Sequence, residues 1–123
     1  MLVIREEQLA VLSQTMREGF VTRMLWHSRK VFPDKTRPWH DEELREIVRR
    51  GMVKAEHYGM HRECEVERYL DLMFLLSFEF DTFPWASRIL QTAWEAPVKL
   101  DVLYAKQEVE DAKQGSASAS AAW

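Results

Sequence analysis

The stretch RECEVERYLDLMFLLSF, residues 62–78, decides the fold. Its apolar residues follow helical spacing, but they wrap much of the helix circumference instead of keeping to one side. A helix with this pattern is covered by neighbours on several sides. We therefore predict a central helix over about residues 62–78, with these side chains in the core: Val66, Tyr69, Leu70, Met73, Phe74 and Leu76.

Helical spacing also runs through the chain before this segment. Residues 5–30 and 40–58 each carry apolar side chains every three or four positions, and Pro33 and Pro38 separate the two stretches. The second stretch opens on HDEEL, whose acidic residues suit the positive end of a helix, and it closes at Tyr58-Gly59. The predicted inward face of the first helix comprises Leu9, Leu12, Met16, Phe20, Met24 and Val31.

Two shorter helices are predicted after the central one. Pro84 and Pro97 both suit the first turn of a helix, and the helix that begins at Pro84 is predicted to carry Trp85, Ile89, Leu90 and Trp94. Strands find little support, because strict alternation of apolar and polar residues is almost absent. The sequence therefore predicts an all-α fold, a compact single-domain bundle of about five helices over residues 1–107.

The last part of the chain differs in composition from the rest. After Gln107 the sequence becomes polar and then repetitive, ending in GSASASAAW. Such a segment has too little apolar surface to offset the entropy lost on ordering. We predict that residues 108–123 form a flexible Ala/Ser-rich tail, either a native extension or a cloning remnant.

Composition narrows the function classes. A net charge of −3 argues against a general nucleic-acid binder, since such proteins concentrate Lys and Arg. The single cysteine, Cys64, excludes an intrachain disulfide and favours a reducing compartment. The most apolar run, YLDLMFLLSF, contains Asp71 and is about half as long as a membrane span, and the amino terminus lacks the pattern of a secretory signal. We therefore expect a cytoplasmic protein with neither nucleic acid nor membrane as a partner.

The segment HYGMHREC places His57, His61 and Cys64 at spacings of four and three residues. On one continuous helix these side chains would share a face and offer a metal site or an activated thiol. Gly59 lies between the histidines and favours a helix end there. A structural corner is thus preferred over a site, and we predict no metal, no cofactor and no catalytic residue.

Aromatic residues near the breaks between predicted helices are the best candidates for a binding surface, because rings anchored in grooves are a common means of protein recognition. Phe80 is expected to turn inward, and the corner around it is expected to be held by Tyr58, Gly59, Asp81 and Pro84. The predicted partner-binding residues are Trp39, Phe78, Phe83 and Trp85.

The segment EHYGMHRECEVERYLDLMFLLSFEFDTFPWASRIL, with EELREIVRRGMVKA before it, resembles a family of small helical bacterial proteins encoded beside spike and effector genes of the type VI secretion system. The shared pattern is a Tyr-Gly corner, Arg68-Tyr69 leading into apolar residues, Phe80-Asp81, and Pro84-Trp85. Ser77 and His61 depart from this pattern, which usually has glycine and a hydroxyl cap there. The resemblance covers about residues 8–104 and implies a genomic setting without implying catalytic residues.

Three hypotheses follow. The first is a non-enzymatic adaptor or chaperone that binds a secretion spike or effector polypeptide in the cytoplasm. The second is an antitoxin-like immunity protein that blocks a cognate effector. The third is a small enzyme or metal-binding protein that uses the His57, His61 and Cys64 corner or a pair of carboxylates.

Overall fold

A computed structural model of the protein describes residues 13–114, with side chains described for residues 13–110. Within this range lie six α-helices: α1 (Gln14–Val31), α2 (Pro33–Thr36), α3 (Asp41–His57), α4 (Glu63–Leu75), α5 (Pro84–Leu90) and α6 (Ala96–Gln114). A 3-10 turn, Phe80–Thr82, precedes α5. The described part of the chain contains no strand, which confirms the all-α class. The additional helix is α2, a single turn within the segment predicted to be a break.

Helix α4 lies at the centre of the bundle. It packs against α1, α3 and α6, and these contacts cover it on several sides. The prediction of a central helix is confirmed, although α4 ends at Leu75 and not at Phe78. Its fully buried side chains are Val66, Tyr69, Leu70, Leu72, Met73 and Phe74.

At the starts of α3 and α4, a carboxylate accepts backbone N–H groups. At the start of α3, the Glu43 carboxylate accepts the N–H of His40 at 2.9 Å. At the start of α4, the Glu65 carboxylate accepts the N–H groups of His61 and Arg62 at 3.1 and 3.3 Å. Capping of this kind satisfies donors that lack intrahelical partners. Glu65 thus caps the start of α4.

The carboxyl end of α4 is closed by a lysine from a distant part of the chain. The Lys35 ammonium donates to the carbonyls of Phe74 and Leu75 at 2.7 and 3.2 Å. Directly after α4, the Ser77 hydroxyl accepts the N–H of Glu79 at 3.1 Å and turns the chain. A cation at this end also matches the negative pole of the helix dipole.

The face that α1 buries is rotated from the predicted one. Met16 and Val31 are 40% and 48% exposed, whereas Val21 and Leu25 are buried beside the predicted Phe20 and Met24. Leu9 and Leu12 lie outside the described residues. The prediction for Met16 and Val31 was wrong because it assumed that one row of side chains along α1 faces the core. The core contact instead spans two neighbouring rows.

Helix α6 continues to Gln114 and so extends over residues 108–114, the first part of the predicted tail. The remainder of that tail, residues 115–123, lies outside the described residues. None of the helices in the described part is both long and apolar enough to cross a membrane.

Candidate functional site

The corner between α4 and α5 is held by Asp81, whose side chain is only 10% exposed. One carboxylate oxygen accepts the Lys54 ammonium at 2.8 Å, and the other accepts the Tyr58 hydroxyl at 2.8 Å. Lys54 also donates to the Phe78 carbonyl at 3.1 Å and lies 4.4 Å from the centre of the Phe78 ring. The carboxylate therefore ties the end of α3 to the turn before α5.

Two other corner residues act through the backbone. Gly59 has a φ of 92°, a left-handed conformation that L side chains rarely adopt. This conformation lets the chain turn away directly after α3. Pro84 occupies the first turn of α5, where its missing N–H costs no hydrogen bond. Phe80 is fully buried, as predicted. The corner is thus built from the end of α3 and from the segment that leads into α5.

Tyrosines extend this corner into the core. The Tyr69 ring lies 6.2 Å from the Tyr58 ring and 5.0 Å from the Phe80 ring. Burial and the hydrogen bond to Asp81 raise the pKa of Tyr58 to about 12. Burial, and then the negative charge of Asp81, raise the pKa of Tyr69 far above its ordinary value. The hydroxyl of Tyr69 is buried and finds no hydrogen-bond partner among the described residues.

A cleft of about 550 Å³ opens on the other side of Tyr58 and Gly59, between this corner and the start of α6. Its polar floor includes Lys99, which is 7% exposed. The Lys99 ammonium donates to the carbonyls of Tyr58 and Leu90 at 3.1 and 2.8 Å, and so links the end of α3 to the end of α5. Burial lowers the pKa of Lys99. The remaining lining residues are His61, Arg62, Glu65, Ala93, Trp94, Glu95, Ala96 and Pro97.

The predicted partner-binding aromatics are all partly buried. Trp39 packs on the cluster formed by Leu25, Leu44 and Phe74, and its indole N–H is buried without an acceptor in the described part of the chain. The other three pack against the main core, so each has one side committed to the fold: Phe78, Phe83 and Trp85.

Among the tryptophans of the described residues, Trp26 and Trp94 are the exposed ones, at 55% and 48%. The prediction that Trp94 belongs to the same helix as Trp85 was wrong, because α5 ends at Leu90 and leaves Trp94 in the connection to α6. Pro97 indicates in the sequence that a helix begins there, and therefore that a connection precedes α6. Trp94 lies at the rim of the cleft, whereas Trp26 lies on α1.

His57, His61 and Cys64 do not form one site. His61 lines the cleft, while His57 and Cys64 are exposed and do not line it. The break at Gly59 separates the two histidines, as the preference for a structural corner anticipated.

A different histidine meets two carboxylates. His27 of α1 faces α4, where Glu67 and Asp71 lie one turn apart. The His27 Nε2 atom is 3.0 Å from Asp71 Oδ1 and 3.8 Å from Glu67 Oε2. Burial raises the pKa of Asp71, and His27 opposes this while Glu67 adds to it. Sequence reasoning missed this group because its members are distant along the chain and their meeting depends on how α1 is rotated.

Comparison of the chain with protein-family models, with curated proteins and with solved structures found no match. Function is therefore inferred from the side chains of the cleft and the corner, together with the sequence pattern.

Proposed function

We propose that the protein is a non-enzymatic accessory protein, an adaptor or chaperone that binds a polypeptide of the type VI secretion system, either a spike or an effector. The observation that carries a binding role is the cleft beside Tyr58, with the half-exposed Trp94 at its rim. The class of partner comes from the sequence pattern around Tyr58-Gly59 and Pro84-Trp85.

The dimensions of the cleft suit a short piece of a partner chain. At about 550 Å³ it lies in the range of small binding sites and accommodates a few side chains. Trp94 adds a large, rigid ring with few rotatable bonds, the residue type that most often dominates binding energy at protein interfaces.

The walls of the cleft are ordered before a partner binds. Tyr58 is held by Asp81 through its hydroxyl and by Lys99 through its carbonyl. Because both wall and floor are fixed by hydrogen bonds, a partner loses little affinity to ordering of this surface.

The polar groups of the cleft support recognition better than catalysis. The Lys99 ammonium is bonded to two carbonyls, and one oxygen of Glu65 accepts two backbone N–H groups. Groups committed to helix ends in this way are poorly placed to move protons to and from a substrate.

The test is capture of the purified spike and effector proteins encoded nearest to this gene, measured by binding of each to the immobilised protein. Trp94→Ala is expected to weaken capture at least about 30-fold, the effect of losing roughly 2 kcal/mol at an interface hot spot. Trp26→Ala is the matched control, because it removes an equally exposed tryptophan away from the cleft, and it should bind normally.

Trp85→Ala, checked for folding by circular dichroism, separates the cleft from the surface predicted from sequence. If Trp85→Ala loses capture and Trp94→Ala keeps it, the interface lies at the surface predicted from sequence and not at the cleft. That surface comprises Trp39, Phe78, Phe83 and Trp85. Failure of the unaltered protein to bind any of these partners contradicts the proposed function. Protection of cells from the effector by co-expression would instead assign the immunity role.

A further inference from the structure

The group formed by His27, Glu67 and Asp71 has the donor set of a metal site. It offers one imidazole nitrogen and two carboxylate oxygens, and the three atoms all lie within 4.8 Å of one another. A set that combines imidazole with carboxylates suits Zn²⁺, Co²⁺ or Mn²⁺, whereas Ca²⁺ and Mg²⁺ prefer ligand sets made of oxygen atoms alone. Glu67 and Asp71 project from one helix face, since residues four apart in a helix are neighbours.

One of the donor-atom separations already matches that around a bound ion, and another exceeds it by a few tenths of an ångström. With metal–ligand distances of about 2.0–2.2 Å, ligand atoms around one ion are about 3.0 Å apart at right angles and about 3.4 Å apart in a tetrahedron. The observed separations from His27 Nε2 are 3.0 Å to Asp71 and 3.8 Å to Glu67. Glu67 makes the longer contact and is also the most exposed of the three, at 45%, so its side chain can move inward without disturbing the core.

The charges at this point also favour a cation. Asp71 is largely removed from solvent, with 23% of its side chain exposed, and the like-charged Glu67 lies one turn away. One turn earlier along the same helix pair, Arg23 and Glu63 form a one-to-one ion pair at 3.0 Å. At His27 two carboxylates instead share a single imidazole, which leaves negative charge in excess.

We propose that His27, Glu67 and Asp71 bind one divalent transition-metal ion, with Zn²⁺ as the ion that this donor set and spacing fit. The ion joins α1 to α4 and leaves at least one coordination position for water. The site is independent of the cleft at Tyr58 and of the role proposed for it.

The test begins with the unaltered, metal-free protein titrated with ZnCl₂ in a calorimeter. One equivalent is expected to bind saturably and to raise the midpoint of thermal unfolding, because the ion binds only the folded arrangement. Co²⁺ should give visible d–d bands without thiolate charge-transfer absorption. Absence of saturable binding overturns the proposal, whatever the variants do.

Variants then locate the ion. His27→Gln and Asp71→Asn should each weaken Zn²⁺ binding by more than about 10-fold, since even residues that only support ligands have effects of this size. Glu63→Gln breaks the neighbouring α1–α4 ion pair without removing a ligand and should leave the affinity unchanged. Unchanged affinity in His27→Gln, or loss of binding in Cys64→Ser or His57→Gln, would assign the ion to other residues and refute the site.

Discussion

At the scale of single residues, Asp81 is the side chain on which the corner depends. Its two oxygens bond a cation and a hydroxyl that both come from the end of α3, far along the chain from Asp81 itself. With 10% of the side chain exposed, these bonds form in an environment where solvent replaces them poorly. The aspartate therefore holds the wall of the cleft in place.

Asp81→Ala is expected to lower the free energy of unfolding by about 2–3 kcal/mol, because the Lys54 ammonium and the Tyr58 hydroxyl both lose a buried partner. Urea unfolding followed by circular dichroism measures this. Asp34→Ala is the matched control: Asp34 pairs with Arg37 at 2.9 Å, but its side chain is 88% exposed. The control should stay within about 0.5 kcal/mol of the unaltered protein. Equal stability of both variants would contradict the role of Asp81.

At the scale of helices, the packing of α3 on α4 depends on a glycine. A Cβ atom placed on Gly51 would contact Leu70 Cδ2 and would lie 2.7 Å from the Met73 sulfur, so any side chain at this position would force these α4 side chains to shift. Gly19 in α1 has no such neighbour, since the nearest atom to its added Cβ is Arg23 Nη1 at 3.9 Å.

The two glycines make a matched pair of substitutions. Gly51→Ala should destabilise by about 1–2 kcal/mol, because overpacking against α4 exceeds the gain in helix propensity. Gly19→Ala should stabilise by about 0.5–1 kcal/mol, since the gain in propensity is unopposed. Denaturant midpoints of the two variants measure both effects. A stabilised Gly51→Ala would show that α3 and α4 are packed less closely than the structure has them.

Elements of the fold were more predictable from sequence than the contacts between them. The central position of α4 and the inward turn of Phe80 followed from apolar spacing and from Pro84, which are local signals. The meeting of His27 with Asp71 and the exposure of Trp94 depend on how one helix is rotated against another and on where α5 ends. Local spacing does not fix the rotation, because one apolar row in α1 is compatible with several rotations about its axis. It does not fix the last residue of α5 either.

At the scale of the whole molecule, the tyrosines report on the packing of the bundle. The chain contains three, and all of them have a raised pKa. Burial is the largest cause in each case, and it raises the pKa of Tyr104 to about 12, as burial and Asp81 do for Tyr58. The Tyr104 hydroxyl also donates to the Arg68 carbonyl at 2.9 Å, which joins α6 to α4.

Titration of the folded protein should therefore show little phenolate absorbance as the pH rises through about 10, where an exposed tyrosine ionises. Because the folded pKa values exceed the unfolded ones, the unfolded state releases protons first, and stability is lost as the pH rises from about 10 towards 12. Lys99, whose pKa is lowered by burial, acts in the opposite direction but contributes nothing to phenolate absorbance. Tyr58→Phe should reduce the loss of stability over this interval, measured as the urea midpoint at each pH. Phenolate appearing near pH 10 in the folded protein, before circular dichroism reports any unfolding, would show that these rings are open to solvent and that the corner is not packed as described.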